Sequence, residues 1–587
     1  MRLVPPWRAT TSAWSQGPIG KLRAVKHAHG HQPLQRDQRD PSNPSELSDP
    51  RERQKSWLTL ALLWGLLLLL AALRPLAVPD EGRYGEIGRW MLQSGDWLTP
   101  RLNGIPFFHK PPLLYWLQAL SLGTLGVSAW ALRLVPALHA GVMLVALYLA
   151  ARAVATEQIA RRAVIMLGTS LAVLVGGQYI NHDMMVATWI GVAIWCFGFS
   201  FMAGDRPHAG LARLGFVACA LAMLSKGMIG FALPGLVLFV WLLWSRQFKK
   251  ILYLPWLTGL ALFAAIVVPW FVLAQQKYPQ FLHYMFIRHQ VERYTATTFN
   301  NPQPWWLYLV AIVLLFFPWV FFALAQARGG TRLALPHGAV AREWTRLCWI
   351  WVIAITVFFS IPNSKLVGYV LPVIPALALL AALGWERAMA HRAYAGKLFA
   401  ALCVLAIGIA TGIVLAVAGV TAKSRTQDIA AVLACEARPG ETVYAVGGYP
   451  YDLPFYLQLP QQIVAISNWD FQRARARDGW QRELFEGAEF DAEAGQALQP
   501  ASVLVAAGRV PGNWLVARKS QTPDEALSAV GESSGWALMK SGAGWELYKS
   551  GALSDARLDA VSGVKSGRSA LESPKPAQQK GLPSCKH

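Results

Sequence analysis

The sequence predicts a polytopic α-helical membrane protein with about 11–13 transmembrane helices and a C-terminal α/β domain outside the membrane. Three observations support this fold class. Of the 587 residues, 54% are hydrophobic and only 15% are charged, whereas soluble domains carry roughly 25% charged residues. Apolar segments recur from residue 57 to residue 420. Beyond residue 420, short strand-like and helix-like patterns alternate.

The net charge of +21 does not indicate a nucleic-acid-binding protein. The basic residues fall mainly in the tails and in short loops between apolar segments, where they set orientation and meet anionic lipid headgroups. The six cysteines form no recognisable framework. We therefore expect no structural disulfide, with a Cys435–Cys585 pair left open.

Residues 1–55 predict a disordered cytoplasmic tail, because they are polar and basic and lack the early apolar core of a cleavable signal peptide. Basic residues directly before the first apolar segment place this end in the cytoplasm of a bacterial-type inner membrane. Residues 56–421 then predict the transmembrane domain. Its predicted spans cover residues 57–73, 131–151, 163–180, 184–203, 211–225, 227–245, 251–274, 305–325, 346–361, 366–385 and 398–420.

The segment 113–126 is apolar, but its 14 residues fall short of the roughly 20 that cross a bilayer. Five later clusters of Arg and Lys lie on the cytoplasmic side only if this segment does not cross. We therefore predict an interfacial or re-entrant helix here. Residues 84–92 predict a second short, amphipathic helix.

This topology gathers polar sequences at the periplasmic ends of the spans. Asp80 and Glu81 follow the first span, and His109 and Lys110 precede the short apolar helix. Charges this close to a bilayer are functional candidates, although the two acidic residues are also suited to a helix N-terminus. The remaining polar sequences on this side are Asn181-His182-Asp183, Ser225-Lys226, residues 288–294, and Ser364-Lys365 with Tyr369.

A site beside a hydrophobic groove suits a substrate with a lipid tail and a polar head. The surplus of cations on this side indicates a phosphate in that head, because Arg and Lys both bind phosphate. A carboxylate among them can act as base, metal ligand or stabiliser of a cationic sugar transition state. Lys226 could instead pair with Asp183. His109, His182 and His289 could belong to a metal site or serve structural roles.

Residues 422–550 predict a periplasmic α/β domain, and residues 551–587 a disordered tail. Within the domain we expect strands at 442–446, 462–466 and 501–506, and helices at 426–437 and 523–530. The aromatic stretch at 449–456 could lie over the membrane-side cavity or form an ordinary packed turn.

Several motifs in order resemble the ArnT-type lipid A aminoarabinose transferases, which belong to the GT-C glycosyltransferases together with the protein O-mannosyltransferases. The resemblance covers roughly residues 57–385 and extends loosely to the periplasmic domain. Its motifs are Asp80-Glu81-Gly82-Arg83-Tyr84, Gly95-Asp96-Trp97, Pro100-Arg101-Leu102-Asn103-Gly104, Lys110-Pro111-Pro112, Asn181-His182-Asp183, Leu224-Ser225-Lys226-Gly227, the run Arg288–Tyr294, and Ser364-Lys365 with Tyr369-Val370-Leu371-Pro372.

The resemblance implies transfer of a sugar from undecaprenyl phosphate, without a nucleotide cofactor, to lipid A or another periplasmic acceptor. By match, Asp80 is the catalytic carboxylate, Asp183 is a second essential acid, and some members bind a divalent metal. The predicted metal ligands are His109, which replaces an acidic residue of the family pattern, and His289; zinc, magnesium or manganese would be the metal. The complete prediction is catalytic Asp80, Asp183 and Glu81, and lipid-phosphate-binding Lys110, Arg83, Arg288, Arg293, Lys365 and Tyr369.

On these grounds the predicted activity is transfer of aminoarabinose to lipid A, and a protein or another glycan is the alternative acceptor. A lipid or sugar transporter is the rival from another class. It predicts internal repeats and broken helices in corresponding halves, and the sequence has no clear repeat. A non-catalytic lipid-binding scaffold leaves the ordered motifs unexplained.

Overall fold

The computed structural model describes residues 50–291, 302–328, 338–423, 425–475, 479–519 and 535–551, except for the side chains of residues 289–291 and 338–339. Within these ranges the chain forms a helical bundle with a six-stranded sheet domain at one end. The helices that precede the sheet domain are α1 (Pro50–Ala72), α2 (Asp80–Ser94), α3 (Leu113–Leu125), α4 (Ala129–Val154), α5 (Glu157–Gly168), α6 (Leu171–Leu174), α7 (Asp183–Met202), α8 (Ala209–Lys226), α9 (Ile229–Trp244), α10 (Trp256–Lys277), the π-helix α11 (His283–Val291), α12 (Leu307–Leu315), α13 (Val320–Ala327), α14 (Gly338–Ser360), α15 (Ile374–Met389, extended by a 3-10 turn from Val367) and α16 (Ala395–Ala422).

Among the described residues, eight helices are long and apolar enough to cross a membrane. The pairs α5–α6 and α12–α13 bend by 54° and 112° and raise this number to ten if each is one broken span. Helix α9 is apolar but has only 16 residues. Each of the eleven predicted spans corresponds to one of these helices or pairs, so the polytopic helical fold class is confirmed.

Ion pairs identify one end of the bundle. Glu52 at the start of α1 accepts a bond of 2.7 Å from Arg161, and Arg162 pairs with Glu386 near the end of α15. The opposite end carries Asp80 and Asp183, where α2 and α7 begin. The two ends thus differ in chemistry, as the topology predicts.

Helix α3 begins and ends at the end of the bundle that carries Asp80. Before it, Lys110 lines a cavity at this end. After it, Arg133 near the start of α4 binds Glu81 at 2.7 Å, and Ser128 caps α4 by accepting a bond from the Ala131 N–H. The 13 residues of α3 therefore return the chain to the same end, as predicted for a helix that does not cross.

Helix α2 lies across this end of the bundle and packs closely on its neighbours. Ile87 and Met91 are buried with Tyr115 of α3 in one core cluster. A Cβ at Gly88 would lie 2.7 Å from the Cβ of Gln118, so only glycine permits this approach of α2 to α3. The helix ends at Gly95, whose φ of 70° is the left-handed conformation that glycine favours.

The sheet domain has the strand order β5-β4-β3-β6-β8-β7, with β3 to β6 parallel and β7 and β8 antiparallel. The central strand β6 is apolar and buried on both faces, as parallel strands usually are. One face packs in the same core as the end of the bundle. The strands are β3 (Val443–Val446), β4 (Val464–Ile466), β5 (Leu498–Gln499), β6 (Trp514–Arg518), β7 (Trp536–Ser541) and β8 (Trp545–Ser550), after the hairpin β1 (Arg101–Leu102) and β2 (Ile105–Pro106). The helices of this domain are α17 (Gln427–Glu436), α18 (Leu453–Leu457), α19 (Trp469–Arg475), α20 (Trp480–Ala488) and α21 (Val503–Arg509).

Several local predictions change. The predicted strand at 501–506 is wrong, because α21 occupies this segment and buries Leu504, Ala507 and Gly508 at helical spacing; a short apolar run does not distinguish strand from helix. Residues 50–55, assigned to the tail, are helical. Cys435 is disulfide-bonded, so the expectation of no structural disulfide is also wrong. The predicted helix at 523–530 lies outside the described residues.

Candidate active site

A cavity of about 810 Å³ lies between the end of the bundle and the sheet domain. The bundle contributes the start of α2, the loop before α3, the start of α7, the end of α8 and the turn before α15. The sheet domain contributes the opposite wall. Six predicted site residues line this cavity: Asp80, Arg83, His109, Lys110, Asp183 and Tyr369.

Asp80 opens α2 and is the most accessible carboxylate of this group, with 37% of its side chain exposed. One carboxylate oxygen forms an ion pair with Arg83, one turn along the helix. The other accepts a hydrogen bond of 3.1 Å from the Tyr179 hydroxyl. The carboxylate is thus held in one orientation while it remains open to a ligand.

Arg83 lies between the two walls of the cavity. It binds Asp80 on its own helix and Glu483 of α20, and Glu483 accepts a second bond of 3.0 Å from Tyr451. Burial alone would lower the pKa of Arg83, but Glu483 above all, with Tyr84 and Asp80, raises it. Arg83 therefore joins the bundle to the sheet domain. Its guanidinium, which was predicted to bind phosphate, already pairs with two carboxylates.

Asp183 begins α7 and pairs with Lys226 at the end of α8. Asn181 donates a bond of 3.0 Å to its second oxygen. The Lys226 ammonium lies 4.5 Å from the centre of the Tyr369 ring, a cation–π distance. Gly368 leaves room for this arrangement, because a Cβ there would overlap the Asp183 carboxylate. The alternative that Lys226 pairs with Asp183 is therefore what the structure shows.

Two neutral polar groups complete this wall. The rings of Tyr84 and His182 meet edge to face at 4.9 Å. Burial raises the pKa of the Tyr84 phenol; it lowers the pKa of His182, and Lys110, Lys226 and Arg83 lower it further. The buried His182 Nε2 has no hydrogen-bond partner among the described residues. A neutral imidazole nitrogen is thus present on a residue that lines the same cavity as the two aspartates.

Glu81 is not placed in the cavity, and its predicted catalytic role is corrected. The carboxylate is fully buried and binds Arg133 at 2.7 Å and Arg74 at 2.9 Å. It also accepts bonds from the N–H groups of Ala77 at 2.7 Å and Ile180 at 3.2 Å. Every contact is to the protein, so Glu81 fixes the start of α2 instead of meeting a substrate.

Two of the predicted phosphate ligands also lie away from the cavity lining. Arg288 pairs with Glu486 of the sheet domain at 2.9 Å. Lys365 is buried and donates to the backbone carbonyls of Gln303, at 3.0 Å, and Pro362. Both cations are used in internal contacts, which the sequence does not reveal. Arg293 and the side chain of His289 lie outside the described residues.

The described residues do not by themselves fit a metal site. His109 Nε2 lies 3.7 Å from Glu486, but that carboxylate already accepts bonds from Arg482 at 2.6 Å, Arg288 at 2.9 Å and Tyr284 at 2.7 Å. No group of three or more His, Cys, Asp and Glu side chains in the described ranges could hold a metal ion. Metal binding by His109 with His289 stays a prediction.

Sequence reasoning missed two residues that act on the predicted ones, Tyr179 and Glu483. Tyr179 stands two positions before the Asn181-His182-Asp183 motif, and this proximity was its only signal. Tyr451 belongs to the aromatic stretch at 449–456, for which a position over the cavity was one of two predicted placements, and it does line the cavity. Glu483 comes from α20 of the sheet domain and meets Arg83 across 400 residues of sequence. No local pattern points to such a contact.

Comparisons with known proteins agree with this architecture. Residues 56–285 match the model of the dolichyl-phosphate-mannose-protein mannosyltransferase family. The chain is 31% identical over 339 residues to an undecaprenyl phosphate-alpha-4-amino-4-deoxy-L-arabinose arabinosyl transferase of Pseudomonas fluorescens (strain Pf0-1), covering 56% of this chain and 59% of that relative. A relative of the same name from Shewanella sediminis (strain HAW-EB3) is 31% identical over 58% of this chain and 62% of its own. The match therefore spans about three fifths of the length of these curated relatives.

The similarity in fold covers more of the chain than the similarity in sequence. The crystal structure of ArnT from Cupriavidus metallidurans bound to undecaprenyl phosphate superposes with a TM-score of 0.69 at 25% identity, covering 84% of this chain and 98% of that one. The apo structure of the same protein gives a TM-score of 0.68 at 24% identity. The resemblance to ArnT-type GT-C glycosyltransferases is thus confirmed in sequence and in fold, and the chain is a multi-pass membrane protein similar to ArnT.

Proposed function

We propose that this chain is a membrane glycosyltransferase that moves 4-amino-4-deoxy-L-arabinose from undecaprenyl phosphate to lipid A. One observation carries the proposal: a chain that shares its fold with ArnT bound to undecaprenyl phosphate has Asp80, Lys110, Asp183 and Tyr369 around a single cavity. The names of the curated relatives support the choice of sugar.

The reaction breaks the bond between the anomeric carbon and the phosphate oxygen of the donor. Undecaprenyl phosphate leaves as a stabilised anion, so the site needs cationic and hydrogen-bonding groups more than a proton donor. Lys110, Lys226 and Tyr369 line the bundle wall and are suited to hold that phosphate. Asp80 and Asp183 are suited to stabilise the positive charge that develops on the sugar.

The role of Asp80 depends on the acceptor. A phosphate acceptor is already anionic and attacks without a general base, so Asp80 would orient the sugar or stabilise its positive charge. An acceptor hydroxyl on a protein or glycan would require Asp80 to remove a proton. The two contacts of Asp80, to Arg83 and Tyr179, leave the carboxylate accessible for either role.

The proposed location is a bacterial inner membrane, with the N-terminus in the cytoplasm and the cavity and sheet domain in the periplasm. Arg152, Arg161 and Arg162 lie together at the end of the bundle opposite the cavity, where they pair with acidic side chains. A basic end supports a cytoplasmic assignment for that end.

The test compares lipid A by mass spectrometry in a strain that lacks this gene and other such transferases. The wild-type gene should add an aminoarabinose-sized increment. Asp80→Asn should abolish the increment while the protein still accumulates in the membrane. Asp470→Asn is the matched control, because Asp470 is fully exposed on α19 and should leave the increment unchanged.

Two outcomes would contradict parts of this proposal. A near-normal increment with Asp80→Asn would refute the site assignment. Unchanged lipid A with the wild-type gene would refute lipid A as acceptor and direct the search to proteins or other glycans. Labelled-sugar transfer measured against uptake in vesicles separates a transferase from a transporter.

A further inference from the structure

The wall of the cavity opposite Asp183 is formed by the carboxyl ends of parallel strands. β3 and β6 pair in parallel, and the residues that follow them, Tyr449 after β3 and Lys519 after β6, line the cavity. Ligands of open parallel sheets bind in the crevice outside the carboxyl ends of the strands. The sheet domain therefore presents its usual ligand-binding edge to the site.

This wall is cationic. Arg518 at the end of β6, Lys519 directly after it and Lys423 after α16 are exposed and line the cavity. Across the described ranges, none of the three forms a salt bridge with a carboxylate. On the bundle wall, by contrast, Arg83 and Lys226 are held by carboxylates. The three cations of the sheet-domain wall are thus not neutralised by any carboxylate of the described residues.

The geometry around Arg518 holds this charge in place. Arg518 stands opposite Trp545 in the β6–β8 pairing, and the Lys519 N–H donates to the Gly544 carbonyl at 3.1 Å. A Cβ at Gly448 would lie 3.2 Å from both the Arg518 Cδ and the Trp545 ring. The turn after β3 therefore supports the Arg518 side chain, while Trp480 adds a second indole to the same wall.

We propose that Lys423, Arg518 and Lys519 form an acceptor subsite that binds a phosphate group of the acceptor glycolipid. The inference rests on the proposed function. It adds that the bundle wall binds the donor and the sheet-domain wall binds the acceptor. The donor carries a long polyprenyl chain that must run along the membrane helices, so its phosphate belongs with the bundle wall. The acceptor phosphate then meets these three cations of the sheet domain, and the indoles face its sugar ring.

The test is the double variant Arg518→Gln/Lys519→Gln in the full chain. Transfer is measured with purified protein, varying the phosphorylated acceptor lipid at saturating donor and then the donor at saturating acceptor. Each lost cation removes a charge-assisted bond to phosphate, so the acceptor KM should rise at least tenfold. The donor KM and the kcat at saturation should change less than twofold. Arg509→Gln is the matched control, because Arg509 is exposed on α21 of the same domain outside the cavity lining.

An unchanged acceptor KM would overturn the subsite. A rise confined to the donor KM would overturn it as well, since the cations would then serve the donor phosphate. Absence of transfer by the wild-type protein would mean failure of the proposed function instead. In that case equilibrium binding of the acceptor lipid, with and without its phosphate, decides the subsite: wild type should prefer the phosphorylated lipid at least tenfold, and equal affinity of wild type and double variant would refute it.

Discussion

Replacing Glu81 with Gln tests whether the second acidic residue of the Asp80-Glu81 pair is structural. Its carboxylate binds two arginines, Arg74 and Arg133, whose side chains are only 3% and 0% exposed. Glutamine keeps the shape and one acceptor oxygen but removes the charge. The substitution therefore leaves two buried guanidinium groups without a counter-charge.

Breaking a buried ion pair by removing one partner costs about 3–5 kcal/mol. Because proteins are stable by only about 5–15 kcal/mol, Glu81→Gln should lower the melting temperature of the purified protein in detergent substantially. Glu436→Gln is the control, since Glu436 is 40% exposed and pairs with Lys549 at 3.8 Å. A surface pair of this kind contributes at most about 1 kcal/mol. Equal melting temperatures of the two variants would refute the structural role of Glu81.

The loss of stability caused by Glu81→Gln should also depend on pH. Burial alone would raise the pKa of Glu81, but Arg133 and Arg74 outweigh burial and lower that pKa below its ordinary value. The stabilisation is therefore complete above the unfolded-state pKa, about 4.3, and is lost as the pH falls toward the folded-state pKa. The difference in melting temperature between wild type and Glu81→Gln should be constant near neutral pH and shrink in acid.

Three further substitutions have defined outcomes. Tyr179→Phe removes the hydrogen bond to Asp80 and should lower kcat/KM of sugar transfer about tenfold, or about 1.4 kcal/mol, without changing the melting temperature. Gly368→Ala places a methyl group against the Asp183 carboxylate and should abolish transfer in the mass-spectrometric assay; normal transfer would show that Asp183 can move freely. Burial raises the pKa of Asp452 to about 6, so its protonated form stabilises the fold below about pH 4 and this contribution is lost as the pH rises through 6. Asp452→Asn should therefore stabilise the protein at pH 7.5 by up to about 3 kcal/mol and have little effect at pH 4, as melting temperatures at the two pH values would show.

The helical architecture follows from the sequence because its signal is local. An apolar segment of sufficient length predicts a span regardless of its partners. The failure of 113–126 to cross also follows, since a crossing there would move all the later basic clusters to the periplasmic side. The elements of the sheet domain are harder to predict from the sequence. Thr442–Val446 and Gln462–Ile466 contain observed strands, but the apolar run at 501–506 gives the same pattern and is a helix.

The sequence predicts which loops form the site, but it does not predict the contacts within the site. Charges at the ends of apolar segments indicate which loops carry chemistry, and Asp80, Asp183, Lys110 and Tyr369 do line one cavity. Asp80 and Glu81, however, project about 100° apart around their helix. Which of them faces the cavity depends on Arg133, which lies 52 residues further along the chain and gives no signal in the local pattern.

The contact of Arg83 with Glu483 shows why the sheet domain belongs to the site. Without Glu483, Arg83 would have Asp80 as its only carboxylate partner among the described residues. With the sheet domain in place, one guanidinium bridges the bundle carboxylate and the carboxylate of α20. The charge of Arg83 is thereby balanced by carboxylates, whereas no carboxylate of the described residues pairs with Lys423, Arg518 or Lys519. A cavity with Lys110 on the bundle wall and three cations on the sheet-domain wall is suited to two different anions, and a transferase with a phosphate-linked donor and a phosphorylated acceptor has two to bind.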